Sequence, residues 1–383
     1  MIGAGIAGLV AANHLAERGF EVVVIEARDR VGGRIHSVAD EATTGDPDVA
    51  VELGALLVAA PSGEAPSMEL PDASADAIAA LADLLDEASV DTVAVTPPAD
   101  ARTTDGGWAA IPSTGPDAIA AARVWAESWP YDVGLDAALV GSGAGNLSTE
   151  PDTEGVPGPS QADWLAYTLA SGVEPSTGAS PRLVSARQAA APGLDAPARL
   201  VRGRLADAMD ELAASVDVAV SSVVTRIAYD DRRVSLRMET GESLRVDRVI
   251  VTAPLGVLQT DTIRFEPRLP RPHQHAISVL GMGAVDLVWL RFDEAFWRAG
   301  TAPGDPRRDI LSVVGETPTV ALWIDASVDA VGDASPGGEA PVLVGVIAAE
   351  QARRLEELGD DEFRDEVLAS LAPFAAAEPT TDD

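Results

Sequence analysis

The chain opens on three glycines, Gly3, Gly5 and Gly8, spaced as G-x-G-x-x-G. Without Cβ atoms at these positions the backbone can turn tightly, approach a pyrophosphate, and let the next helix pack closely on its strand. The apolar, Ala-rich run from Ile6 to Glu17 is predicted to be a helix whose first N–H groups and dipole face phosphates. Phe20–Ile25 then reads as a buried β-branched strand. Glu26 ends it, eighteen positions after Gly8, where a carboxylate accepts hydrogen bonds from ribose hydroxyls. Strand, glycines, helix, strand and acid in register imply an adenine dinucleotide site, with Ile6 and Ala7 in its turn and Ala27 beside its acid.

A glycine turn alone does not separate the possible dinucleotides. The next residues, Arg28-Asp29-Arg30-Val31-Gly32-Gly33-Arg34, add a Gly-Gly-Arg element. In this the sequence resembles the two-dinucleotide-binding flavoproteins, where such a stretch extends the site along the pyrophosphate. The resemblance implies FAD, with Arg28, Gly32, Gly33 and Arg34 contributing. The chain has no Cys, so disulfides, thiolate metal sites and a cysteinyl-flavin bond are excluded and the FAD is expected to be noncovalent. Read from residues alone, the alternative is a solvated Arg-rich turn with two glycines for geometry.

Composition narrows the partners. The net charge is −34 and all 27 basic residues are Arg, which argues against nucleic acid because phosphate binding needs a cationic face. Such charge serves solubility and could also steer a cationic amine. With 383 residues, 46% hydrophobic, the chain can bury one large or two ordinary cores. No apolar run approaches the eighteen residues of a membrane span, and no signal peptide precedes the first strand, so no membrane contact and a cytoplasmic location are expected. His14, His36, His273 and His275 form no ligand cluster, so no metal is expected; His273 and His275 read as a surface loop. No G-x-S-x-G supports a serine hydrolase.

Along the chain, residues 1–60 form the nucleotide-binding start, ending in Val51-Glu52-Leu53-Gly54-Ala55. Residues 61–189 are rich in Ala, Pro, Gly and Asp, with helices expected at Ala75–Glu87 and Pro116–Glu127 and loops at 149–161 and 174–181. Gly141-Ser142-Gly143-Ala144-Gly145 mimics a phosphate loop but reads as a turn. A helix is expected at 203–214, strands at 217–229, 233–238 and 244–252, and helices at 349–358 and 360–373.

The stretch from Val220 to Trp297 narrows the family. Ser222-Val223-Val224-Thr225-Arg226-Ile227, then VDRVIVTAPLGVLQTDTIRFEPRLP over 246–270, then Gly281-Met282-Gly283 and Val288-Trp289-Leu290-Arg291-Phe292 before Phe296-Trp297 resemble the flavin-containing amine oxidase family. The resemblance covers 1–60 and about 195–375. It implies an α/β fold with α+β elements: a Rossmann-like FAD domain, 1–60 and 190–260, interleaved with a substrate-binding domain, 61–189 and 261–383. The strands from 217 to 252 should then rejoin the sheet begun by residues 1–26. It also implies that the Val224 backbone holds the adenine edge, and that Thr252, Pro254 and Leu255 belong to the segment passing the cofactor. Gly54 and Ala55 match the start of a further cofactor-binding stretch.

Three departures stand out. The family's flavin-side Lys is Leu287 here, which cannot hold a water at flavin N5, so no catalytic side chain is assigned. The family's G-A-S-W-I-H-G continues after Gly54-Ala55 as Leu56-Leu57-Val58-Ala59. The family's later G-S-Y-S and A-G-E segments lie beyond Asp383, and only Met1 and Ile2 precede Gly3 where a longer strand is expected. Both ends of the flavin domain therefore read as incomplete, as in a gene fragment, a chain with misassigned ends, or a decayed paralogue. The resemblance implies oxidation of an amine C–N bond to an imine, with oxygen reduced to hydrogen peroxide; the partners are then a small-molecule amine and oxygen, with a homo-oligomer left open. The alternative is a non-catalytic flavoprotein homologue acting as a binding partner.

Overall fold

A computed structural model describes residues 1–39, 50–59, 81, 83–104, 106–151, 158–188, 198–298, 308–327 and 341–375. Ile2 bridges in parallel to both Ile25 and Val251, and Val23–Ile25 pairs in parallel with Asp217–Ala219. Segments far apart in sequence thus lie side by side as 217–219, 23–25, 1–2 and 251. The helix Ile6–Glu17 buries Leu9 and Ala12 in a core shared with Leu205, Ala208 and Met209 of the helix Leu205–Ala214. This parallel sheet with crossover helices is the Rossmann-like arrangement expected.

The region after 217 divides more finely than the alternation of its residues indicates. Asp217–Ala219 joins the parallel sheet, but Val224–Tyr229 pairs antiparallel with Val234–Met238, which pairs with Ser243–Val246. Ser221 turns the chain between the two sheets with φ of +51°. The backbone N–H groups of Ser221 and Ser222 donate to the carbonyls of Arg28 and Glu26. A second break separates Ser243–Val246 from Val251, the residue that returns to Ile2. Apolar, β-branched residues resume directly after each break, so each pair of strands reads as one.

A four-stranded antiparallel sheet runs Val285–Arg291, Val342–Ala348, Leu322–Asp325, Ile310–Leu311. Its two faces bury different cores. One carries Leu287, Trp289, Leu322, Ile324, Val344 and Val346 against Leu56, Val95 and Leu200. The other carries Val288, Leu290, Trp323, Leu343 and Ile347 under the helices Ala349–Glu356 and Asp360–Ala369.

A helical body contains Thr114–Glu127, Leu135–Ser142 and a long element starting at Gln161. That element is α-helical to Thr168, π-helical over Leu169–Val173 and α-helical again over Glu174–Thr177. The loop expected at 174–181 is therefore half helix. Gly172 and Pro175 obscure the periodicity, whereas the Ser160–Asp163 capping box marks the start. Gly143 ends Leu135–Ser142 with φ of +79°, so the glycine cluster there is a helix end. His273 and His275 lie exposed on the helix Arg271–Val279, where a loop was expected. Of the helix expected at 75–87, residues 81 and 83–87 are helical, and 75–80 and 82 lie outside the described residues. Among the described residues no helix is long and apolar enough to cross a membrane.

Candidate functional site

The three N-terminal glycines answer three different constraints. Gly3 has φ of +106°, and a Cβ there would stand 2.7 Å from the Thr252 hydroxyl oxygen. A Cβ on Gly8 would stand 2.0 Å from the Gly3 carbonyl oxygen, so only glycine lets the helix seat on the turn. Gly5 has an ordinary φ of −79°, and a Cβ there would come no nearer than 3.9 Å to the Gly32 carbonyl oxygen. Nothing in the fold forbids a side chain at Gly5. The space in front of it suits a group from outside the chain.

That space is electropositive. Gly5 begins the helix Ile6–Glu17 with no side-chain cap and no acidic residue in the first turn, so the helix's N-terminal partial charge is left for an anion. The second glycine loop closes against it: the Gly32 N–H donates to the Ala4 carbonyl at 2.8 Å, Gly5 and Gly32 form a parallel bridge, and Gly33 has φ of +62°. Arg30 braces this loop by donating to the carbonyls of Val31, Gly33 and Ile35, and Arg28 donates to Gly33. Burial and then the nearby Arg30 and Arg28 hold His36 below the usual imidazole range. The Arg34 guanidinium is exposed and pairs with no described residue. In a chain of net charge −34, this local run of cations is matched to phosphate.

Glu26 is buried beside the same turn. One carboxylate oxygen accepts from the Ala4 N–H at 2.8 Å and the other from the Arg28 N–H at 2.9 Å. Each oxygen retains a lone pair for a hydroxyl donor. Thr252 fixes the opposite side, its N–H donating to Ile2 at 2.9 Å and its hydroxyl to Ile2 and Gly3 at 3.0 and 3.2 Å. Val224 packs with Ile2 and Ile25. Ile6 and Ala55 pack on the core beneath the helix, while Ala7 and Ala27 are exposed. A Cβ on Gly54 would meet the Arg34 carbonyl oxygen at 1.8 Å, so this residue holds the Arg34 backbone in place. Pro254, exposed, starts the helix Leu255–Gln259 and meets the cradle through Thr252.

The structure thus brings Gly3, Gly5, Gly8, Glu26, Gly32, Gly33 and Thr252 together, and adds three that were missed. Arg30 and Ser37 support the second loop, and Glu52 lies wholly buried next to it. The signal for Glu52 was available: an acid enclosed by aliphatic residues in a strand must be buried with partners. Leu287 stands on the strand Val285–Arg291, partly buried among Leu56, Leu322 and Val344, with no polar atom to offer. Among the described residues no His, Asp or Glu group is arranged to hold a metal.

Known proteins agree with this reading. Residues 180–382 match the family described as flavin containing amine oxidoreductase, and residues 1–70 match a NAD(P)-binding Rossmann-like domain. The chain is 28% identical over 390 residues to polyamine oxidase 3 of Oryza sativa subsp. japonica, covering 98% of this chain and 73% of that protein. It is 34% identical to polyamine oxidase 4 of the same plant over 171 residues, which span 32% of that protein. Among solved structures, putrescine oxidase bound to putrescine superposes with a TM-score of 0.70 at 21% identity, over 98% of this chain and 80% of that one. Cyclohexylamine oxidase from Brevibacterium oxydans IH-35A superposes with a TM-score of 0.69 at 19% identity, again over 98% and 80%. The cofactor class is FAD, and the open face of Gly5, the uncapped helix, free Arg34 and buried Glu26 fit it. The chain belongs to the flavin containing amine oxidoreductase family.

Proposed function

We propose that this chain works in the FAD-dependent oxidation of a C–N bond in a small aliphatic amine, of the di- or polyamine class, to an imine, with oxygen reduced to hydrogen peroxide. The observation carrying the proposal is the space in front of Gly5, which an added Cβ would occupy without touching the fold. Residues 1–60 and 190–260 hold the dinucleotide in this reading, and 61–189 and 261–383 face the substrate. The turn Gly3, Gly5, Ile6, Ala7, Gly8 and the guanidinium of Arg34 bind the pyrophosphate. Glu26 orients the ribose, Val224 meets the adenine edge, and Thr252, Pro254, Gly54 and Ala55 border the remainder of the cofactor. When bound, the flavin supplies a two-electron acceptor for the carbon bearing the amine. The chain's part is positioning and exclusion of water, and the apolar face around Leu56, Leu287 and Trp289 supplies the dry wall. The relatives named polyamine oxidase and putrescine oxidase support the substrate class, and the chain's negative field draws a cation toward it.

The test is anaerobic mixing of the FAD-loaded protein with putrescine, spermidine or cyclohexylamine while the yellow flavin absorbance is followed. Bleaching by at least one amine is expected; an unchanged spectrum with all three contradicts the proposal.

A further inference from the structure

Glu52 is fully buried in the strand Ala50–Glu52, and three other parts of the molecule converge on it. Its Oε1 accepts from the Leu205 N–H at 2.9 Å, at the start of the helix Leu205–Ala214, and also from the Ser37 hydroxyl. The Ser37 oxygen in turn accepts from the Ala206 N–H at 2.9 Å. The Glu52 carbonyl accepts from the Trp289 indole N–H at 3.0 Å, two residues from Leu287 on the same strand face. Ser37 lies opposite Glu52 in the strand pair that leads out of the second glycine loop, and Gly54 beyond it abuts the Arg34 carbonyl. The Glu52 carboxyl therefore ties Ser37 to the helix 205–214, while its backbone carbonyl ties the same strand to the strand 285–291.

The other oxygen, Oε2, is buried without a partner. An ionised carboxylate with one oxygen unsatisfied and no paired cation is costly to bury, whereas the acid form carries no net charge. The charged groups facing it are Arg204, which favours ionisation, and Asp207, which opposes it; burial outweighs them and pushes the carboxyl above the usual range. Its neighbours from the other elements, Ser37 and the Trp289 indole, carry no charge.

We propose that Glu52 is a positioning residue for the dinucleotide: its Oε1, accepting from Ser37 and from the Leu205 N–H, locks the second glycine loop, and with it the Arg34 guanidinium, to the helix 205–214, on a strand whose backbone is tied to the strand carrying Leu287. The inference rests on the cradle being an FAD site. It assigns FAD affinity to a residue that does not touch the cofactor and makes that affinity depend on its acceptor geometry, independent of its charge.

The experiment compares wild type, Glu52→Gln, Glu52→Ala and Ser37→Ala by titrating apoprotein with FAD and by following apoprotein thermal unfolding from mildly acid to mildly alkaline pH. Gln keeps the Oε1 acceptor and is uncharged, so E52Q should hold FAD within about threefold of wild type, while S37A and, if it folds, E52A should each weaken it by about tenfold or more. Glu52 is favoured as the acid in the fold, so its stabilising contribution is complete below the ordinary carboxylate range and is lost as pH rises. The Tm of wild type should therefore fall relative to E52Q toward alkaline pH. A wild-type protein that binds no FAD overturns the cradle reading itself. If wild type binds FAD but E52Q loses as much affinity as S37A, or S37A binds FAD as tightly as wild type, the lock is wrong and the cradle stands.

Discussion

In the glycine cradle the backbone does the positioning: Gly3 and Gly33 supply positive φ, Gly8 supplies contact without a side chain, and Gly5 leaves a gap. On the neighbouring face of the strand Val285–Arg291, side chains fill the space, and Leu287 and Trp289 interlock with Leu56, Leu322 and Val344. A backbone-built site tolerates little substitution at Gly3, Gly8 and Gly33, each set by a clash or a dihedral angle, whereas Gly5 is held by neither. A site lined by side chains can exchange a polar group for an apolar one and remain well packed. The same family fold can thus retain its glycine turn while the residue at position 287 changes character.

The largest effect should come from Gly8→Ala. Its methyl would start 2.0 Å from the Gly3 carbonyl oxygen, so the helix must move off the turn at a cost of about 3 kcal/mol or more, and folding itself should fail or the Tm drop sharply. Circular dichroism melting checks this; an unchanged melt would show that the cradle's backbone is not tightly set.

Next comes Leu287→Lys, which probes the other region. With no ammonium at this position nothing stabilises negative charge developing on oxygen, so the wild type should pass electrons to an artificial acceptor better than to oxygen. The Lys variant should raise the oxygen rate by roughly 10²–10³, the contribution of one preorganised donor. Its ammonium must enter the apolar cluster around Leu56 and Val344, so lower stability should accompany the gain. Stopped-flow mixing of photoreduced protein with oxygenated buffer decides the matter; rapid reoxidation of wild type would show that the position does not govern oxygen reactivity.

Glu26→Ala returns to the cradle. Losing hydroxyl bonds to the ribose, together with the support given to Ala4 and Arg28, should weaken FAD by about one to two decades, equivalent to about 1–3 kcal/mol. Equilibrium titration measures it, and unaltered affinity would remove Glu26 from the site.

What was legible in the sequence follows the same division. Gly3, Gly8, Gly32 and Gly33 are visible because a positive φ or a backbone contact permits few alternatives there, Gly5 and Glu26 by their spacing from them, and the structure brings all of these together. The helices Ile6–Glu17 and Leu205–Ala214 were legible through their apolar spacing. Hidden were the breaks at Ser221 and between Val246 and Val251, where β-branched residues resume at once although the chain changes sheets. Hidden too was the continuation of the helix from Gln161 through a π-helical turn, past Gly172 and Pro175. The links of Glu52 to Ser37 and Leu205 span up to 153 residues, and no local pattern states a partner so distant.

The smallest effect expected lies outside both regions. Burial and then the facing Glu350 push the Glu174 carboxyl up to about 7, while Glu350 also pairs with Arg182 at 3.1 Å. A raised carboxyl stabilises the fold in its protonated form, fully at pH below the ordinary carboxylate range, and that contribution is lost as pH rises through about 7. Wild-type Tm should therefore decline modestly between mildly acid and mildly alkaline pH, and Glu174→Gln should flatten the decline. Equal slopes for both proteins would show that Glu174 does not titrate in that interval.

The most direct test of the cradle is calorimetric titration of the apoprotein with FAD and with NAD, for wild type and for Gly5→Val. Wild type should bind FAD noncovalently and in preference to NAD. Gly5→Val should melt like wild type, since its Cβ meets nothing nearer than 3.9 Å, yet lose FAD affinity by at least about tenfold, or about 1.4 kcal/mol. Equal FAD binding by the two proteins, or NAD taken in preference to FAD, would contradict the account.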